Sequence, residues 1–264
     1  MKQWVVTLLL SIVTFSSQAA GFNHTQWDNL LKRHVVAIDQ GVATQVDYSG
    51  FSRERFQLKS YLHSLESIPL ATFKSWPKSE QLAFLINSYN AWTVELILSE
   101  YPKVESIRDL GSWLESPWER RFIPLFGKQR SLDEIEHEMI RAEQTYQEPR
   151  IHFAVNCASI GCPALSTDAF AGERLDRQLD EVTRLFLSDR SRNRLSGDTL
   201  YLSKIFKWYR KDFERGWSGY QTLAQFLAAY PTALGLSGDD LQRLKRGVIE
   251  IEFLDYDWSL NRKR

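Results

Sequence analysis

Residues Ser79–Tyr101 read SEQLAFLINSYNAWTVELILSEY. Apolar side chains recur at Leu82, Leu85, Ile86, Tyr89, Trp92, Leu96 and Ile97, with Thr93 among them, at the spacing of one broad helix face. Glu80 suits the positive end of such a helix, and Pro102, which cannot continue it, closes it. This is the strongest element of the chain, and its apolar face needs a core. Asn90 falls at the edge of that face, one turn after Ile86, with Asn87 beside it. A buried amide without partners costs about 1–3 kcal/mol. Asn90 is therefore expected to hold a specific hydrogen-bonded contact, as a brace for a loop or as a site residue.

Working outward, Trp27, Leu30, Leu31, His34, Val35 and Ile38 keep helical spacing, and a second helix is expected from Arg53 to Leu65. After the long helix, FIPLFGKQRSL predicts a hairpin turning at Gly127–Lys128. Ser131 and Glu134 form a capping box for a helix on which His137 faces solvent. RIHFAVN alternates, with Ile151, Phe153 and Val155 against His152, Ala154 and Asn156, which predicts a strand. CASIGCPA follows as a loop of small residues. A helix through Leu175–Phe186, a brief TLYL strand, a helix capped by Ser203, helices near 220–229 and 240–245, and a strand in VIEIEF complete the chain. The expected fold is α+β: a single domain over residues 21–264, mostly helical around a small, mainly antiparallel sheet.

Composition narrows the function. The 264 residues hold 9 Trp, 10 Tyr and 15 Phe, so a thick aromatic core is expected. Lys+Arg and Asp+Glu are 33 each, which leaves no field to attract nucleic acid. Residues 1–20 combine Lys2, the apolar run WVVTLLLSIVTF and the small residues SSQAA, the pattern of a signal peptide cut after Ala19 or Ala20. No later segment is apolar enough to span a membrane. The mature chain is expected to be periplasmic or secreted, where disulfides form, and to meet an envelope ligand or protein.

QLAFLINSYNAW, SLDEIEH, PRIHFAVNCASIGCPAL, LSKIFKWYRKDF and FLDYDWSLN follow one another in an order and spacing that resemble the bacterial family catalogued as domain of unknown function 547. The resemblance runs from about Trp27 to Asn261. It implies one domain, often secreted, and carries over no catalytic residues. By analogy of fold it also brings papain-like and transglutaminase-like enzymes to mind.

Both cysteines, Cys157 and Cys162, lie in the third stretch, and three readings stay open. A disulfide suits an oxidising compartment, and closing so short a loop restricts the unfolded chain by about 2 kcal/mol. A catalytic thiol would make Cys157 the nucleophile and His152 its base, with Asp257 or Asn90 as the orienting group. Against it, residues five apart on a strand face opposite sides, and no histidine follows Cys157, whereas papain-like and transglutaminase-like enzymes place histidine after cysteine. Metal or redox work fits least, because the spacing matches no common zinc or redox pattern, so no metal and no cofactor is expected. KIFKWYRKDF reads as an amphipathic helix with a basic outer face, or as a patch for an anionic polymer or lipid head group. Glu250, Glu252 and Asp255 read as a wet sheet face, with calcium binding or acid–base work as the alternatives. The functional expectation is a thiol hydrolase or acyltransferase acting on an envelope amide or ester. The alternative is a non-catalytic binding or assembly module whose Cys157–Cys162 bond shapes a recognition loop.

Overall fold

The long helix spans Lys78–Leu98 and is buried almost all the way round, so it is a central axis rather than a one-faced surface helix. The computed structural model describes residues 21–142 and 144–263; the leader expected at residues 1–20 lies outside the described residues. α1 (Thr25–His34) leads into a hairpin of β1 (Val35–Ile38) and β2 (Ala43–Val46), with Val35 opposite Val46. Val35 and Ile38 therefore leave the expected helix. Three of the four residues of β1 are β-branched, which favours the pleated state. α2 (Tyr48–Arg53), α3 (Arg55–Glu66) and α4 (Leu70–Ser75) then pack toward the axis, α5 (Lys78–Leu98). The buried carboxylate of Glu95 on α5 is compensated by Arg55 at 2.7 Å and Lys59 at 3.0 Å.

β3 (Ile123–Leu125) and β4 (Lys128–Arg130) form the predicted hairpin, although the turn is Phe126–Gly127, one residue earlier than expected. Both turn residues have positive φ, at 54° and 73°, as a tight two-residue connection requires. The Ser131–Glu134 box is present: Glu134 N donates to Ser131 Oγ at 3.1 Å, and Ser131 N donates to Glu134 Oε2 at 2.9 Å. It opens a π-helix over Glu134–Ile140, a form often found at functional sites.

α6 (Leu175–Ser188) precedes β5 (Arg194–Ser196) and β6 (Thr199–Leu202). α7 (Ile205–Trp208), α8 (Arg210–Glu214), α9 (Leu223–Ala228), α10 (Pro231–Leu234) and α11 (Gly238–Lys245) follow, and β7 (Glu250–Phe253) ends the series. β5 pairs antiparallel with β6, and β7 joins β6 in parallel. The chain is thus an α+β domain whose strands form three small sheets among the described residues, in place of the one expected, and all but one strand pair is antiparallel. No helix among the described residues is long and apolar enough to cross a membrane.

Two apolar clusters fill the interior. The larger surrounds α5, and the smaller gathers Phe153, Phe186, Phe206, Phe213 and Phe226. The segment Pro149–Asn156 is the seam between them: Ile151, Ala154 and Val155 enter the first cluster, Phe153 the second.

Candidate active site

The seam positions the histidine. RIHFAVN is not a strand; Pro149–Phe153 is a 3-10 helix. Pro149 supplies the helical φ at a position needing no N–H, and Glu148 caps the turn through Arg150 N at 3.0 Å. Residues three apart then share a side, which sends Ile151 and Ala154 together into the larger cluster. Neighbours pointing into different cores imitate the alternation of a strand. The objection that His152 and Cys157 face opposite sides of a sheet falls with the strand.

His152 is fully buried between the two clusters. Its Nε2 donates to Asp212 Oδ2 at 2.7 Å, and its ring stacks on Tyr209 with centroids 4.0 Å apart. Asp212, also fully buried, accepts from Arg141 Nε at 2.6 Å and from Arg215. Burial alone would raise the Asp212 carboxyl, but hydrogen bonds from His152 and Arg141 outweigh it and hold the group well below the usual carboxylate range. Burial lowers the His152 imidazole, and the Asp212 hydrogen bond offsets only part of that. The ring is therefore neutral, its one proton faces Asp212, and Nδ1 carries a bare lone pair. Nδ1 has no hydrogen-bond partner among the described residues.

His152 lines a cavity of about 250 Å³ that Cys157 and Cys162 also line. Tyr89, Trp118, Trp208, Tyr209, Tyr256 and Trp258 give it an aromatic wall. Glu136, from the π-helix, borders the same space; it is 4% exposed, and its Oε1 has no hydrogen-bond partner among the described residues. The negative charge of Glu136 adds to burial in pushing the Tyr89 and Tyr209 hydroxyls up.

The cysteine loop is held from both sides. Cys157 and Cys162 are joined as a disulfide, so in this state neither is a thiol. Cys157 N donates to Cys162 Sγ at 2.8 Å, and the Tyr256 hydroxyl lies 3.0 Å from Cys157 Sγ. Asn90 meets the sequence expectation of a specific contact. Its Nδ2 donates to Ala154 O at 2.9 Å and its Oδ1 accepts from Asn156 N at 2.8 Å, which fixes the backbone just before Cys157. Asn87, one turn earlier, grips Phe170 in the same reciprocal way. Asn156 in turn accepts from Ala158 N at 2.9 Å, which holds Ala158 at a φ of 61°, and donates to Pro163 O at 2.7 Å. Gly161 lies against the C-terminal segment: a Cβ there would stand 3.0 Å from the Asp257 backbone, and Gly161 N donates to Asp257 O at 2.8 Å.

The carboxylate of Asp257 is exposed and accepts from its own neighbour, Ser259 N, at 2.9 Å. Neither Asp257 nor Asn90 is hydrogen-bonded to the imidazole; the carboxylate there is Asp212. Nothing in the sequence pattern singles out Asp212, Glu136, Arg141 or Tyr209 as members of this site. KIFKWYRKDF was expected as one helix with a basic face, but it breaks at Tyr209 into α7 and α8, and the break turns Asp212 inward. The available signal was an acid set among bases directly before a core aromatic, Phe213. Glu250, Glu252 and Asp255 are exposed, as a wet face requires, and Asp255 pairs with Lys204 at 2.9 Å.

Residues 73–187 match the model of the family described as "Protein of unknown function, DUF547", which bears out the resemblance over that stretch. The match includes α5, Glu136, His152 and the cysteine loop; Asp212 and Tyr256 lie beyond it. No curated protein and no solved structure matches the chain, and the papain-like and transglutaminase-like analogies gain no support.

Proposed function

We propose that the chain is a thiol-dependent acyl hydrolase or acyltransferase of an oxidising, extracytoplasmic compartment, acting on an amide or ester of the cell envelope. One observation carries the reading: a neutral imidazole, oriented through Nε2 by buried Asp212 and with Nδ1 unpartnered among the described residues, belongs to a residue that lines one cavity with Cys157. The leader-like residues 1–20 and the disulfide support the compartment.

The chemistry needs the disulfide opened first. A dithiol reductant supplies two electrons, is itself oxidised to a disulfide, and leaves Cys157 and Cys162 as thiols. His152 Nδ1 takes the Cys157 proton, and the thiolate attacks the carbonyl carbon. The C–N or C–O bond breaks, the leaving group takes the proton from the imidazolium, and a thioester remains. Water or an acceptor nucleophile then attacks the thioester and returns the thiol. Asp212 is a positioning residue: it fixes the tautomer and stabilises the imidazolium that forms.

Iodoacetamide tests the reading. The oxidised protein should label at neither cysteine. After reduction, Cys157 should alkylate well below the pH at which a free thiol reacts, and His152→Ala should slow it by about tenfold or more. If reduced Cys157 reacts no faster than free cysteine, the thiol reading fails. A second reading then stands, favoured by the closed disulfide and the bracing of its loop: a binding module in which the Cys157–Cys162 bond shapes a recognition surface.

A further inference from the structure

We infer that the aromatic cavity binds a primary ammonium group, held by Glu136 at its buried end and by the surrounding rings. The inference refines the proposed reading by naming what the substrate carries, and the binding itself needs no catalysis. It starts from two buried atoms. Glu136 and His152 line one cavity, and Glu136 Oε1 and His152 Nδ1 are buried without a hydrogen-bond partner among the described residues. The carboxylate oxygen can only accept, and Nδ1, with the imidazole proton committed to Asp212, can only accept as well. Nδ1 is the base for Cys157 in the proposed reaction, so the donor a ligand must bring is the one for Glu136 Oε1.

The charges nearby favour a cation. Arg141 is already used, with Nε on Asp212 and Nη1 2.5 Å from His137 Nδ1. Arg215 also binds Asp212. Asp133, a second carboxylate lining the cavity, lies 3.6 Å from His137. Glu136 has no such salt-bridge partner among the described residues. Aromatic rings are suitable walls for a cation, since ring faces attract positive charge and exclude water. Trp208, Tyr256 and Trp258 pack within 4.5–5.7 Å of one another by ring centroid, which forms a continuous aromatic rim. A quaternary ammonium would satisfy the rings but leave Glu136 Oε1 without a donor. A neutral alcohol offers a single donor and no charge. The primary ammonium meets both requirements, and a space of about 250 Å³ suits the end of an alkylamine chain rather than a whole polymer unit.

The test is a calorimetric titration of the oxidised full chain with n-butylammonium, tetramethylammonium or n-butanol at constant ionic strength. n-Butylammonium should bind saturably, and the other two roughly tenfold more weakly or not at all. Glu136→Gln should cost about tenfold in amine affinity with circular dichroism unchanged. If that variant does not fold, Trp208→Leu at the half-exposed rim keeps the apolar surface but removes the ring; it should weaken n-butylammonium and spare n-butanol. Equal affinity for n-butanol or tetramethylammonium, no saturable amine binding, or a Glu136→Gln protein with undiminished affinity overturns the inference. Because Cys157 is tied throughout, amine binding without thiol reactivity after reduction would sink only the acyl-transfer reading, and the reverse result only this one.

Discussion

Replacing Asp212 with asparagine tests the buried network at its centre. The carboxylate accepts from His152 at 2.7 Å and Arg141 at 2.6 Å on Oδ2, and from Arg215 on Oδ1. An amide has one accepting atom, so in either orientation an NH2 group confronts a donor. The same change removes the buried counter-charge of Arg141 and one charged partner of Arg215. Breaking a buried ion pair costs about 3–5 kcal/mol. The arginine side chains remain 19% and 28% exposed, and water reaching them places the expectation at the lower end, about 3 kcal/mol. The sign with pH is fixed by the depressed Asp212 group: its stabilisation is complete above about pH 3.9 and is lost as the pH falls through the lower folded value. The comparison therefore belongs at pH 7, by urea unfolding of oxidised protein followed by tryptophan fluorescence. A double-mutant cycle with His152→Gln should return a coupling of about 1 kcal/mol or more. An asparagine NH2 facing Nε2 would also drive the imidazole proton to Nδ1, so reduced Asp212→Asn should alkylate slowly at Cys157 even where it is folded. A loss below about 1 kcal/mol at pH 7, or additive single variants, would refute the network.

Asn90→Ala leaves Ala154 O and Asn156 N buried without partners; a loss of about 2–3 kcal/mol in urea unfolding is expected, and a neutral result would mean the loop has another support. Cys157→Ser combined with Cys162→Ser opens a short ring and should cost about 2 kcal/mol, measured against the oxidised parent; a loss several times larger would show that the bond sets more than its own loop. Burial lowers His24 to about 3, so its neutral form is the folded one. The stability this group supplies is complete above pH 6.5 and falls as the pH drops from 6.5 toward about 3, by up to about 5 kcal/mol. His24→Gln should flatten acid unfolding across that window, and an unchanged pH profile would remove His24 as a cause.

What the sequence made legible was local. α5 declared itself through spacing and a closing proline, and the hairpin and the Ser131–Glu134 box through residues at most three apart. Asn90 was legible because an amide at the edge of an apolar face must find partners, wherever they come from. Asp212 was not, since its burial depends on His152, which is sixty positions away, and on a helix break at Tyr209 that no proline or glycine marks. Glu136 was hidden for a related reason: on an α-helical wheel its placement differs from that in the π-helix that turns it inward. RIHFAVN misled because period-two alternation also describes a segment that lies between two cores.

The five stretches that carry the family resemblance are scattered over most of the chain, yet they supply every residue lining the aromatic cavity except Trp118. A purely structural interior has no use for that convergence in the form it takes. Apolar residues of similar volume would fill the space around His152, Glu136 and Asp212 without desolvating three ionisable groups, and buried charge sets are commonly neutral or unfavourable against such replacements. Each acceptor left without a partner adds a cost of about 1–3 kcal/mol. Asp212 is explained by the donors around it. His152 Nδ1 and Glu136 Oε1 have no hydrogen-bond partner among the described residues, and both residues line the same cavity. A partner that offsets that cost, water included, has to donate a hydrogen bond. On the proposed reading the cavity takes its ligand whether or not the Cys157–Cys162 bond is ever opened, and the disulfide decides only whether that ligand is held or transformed.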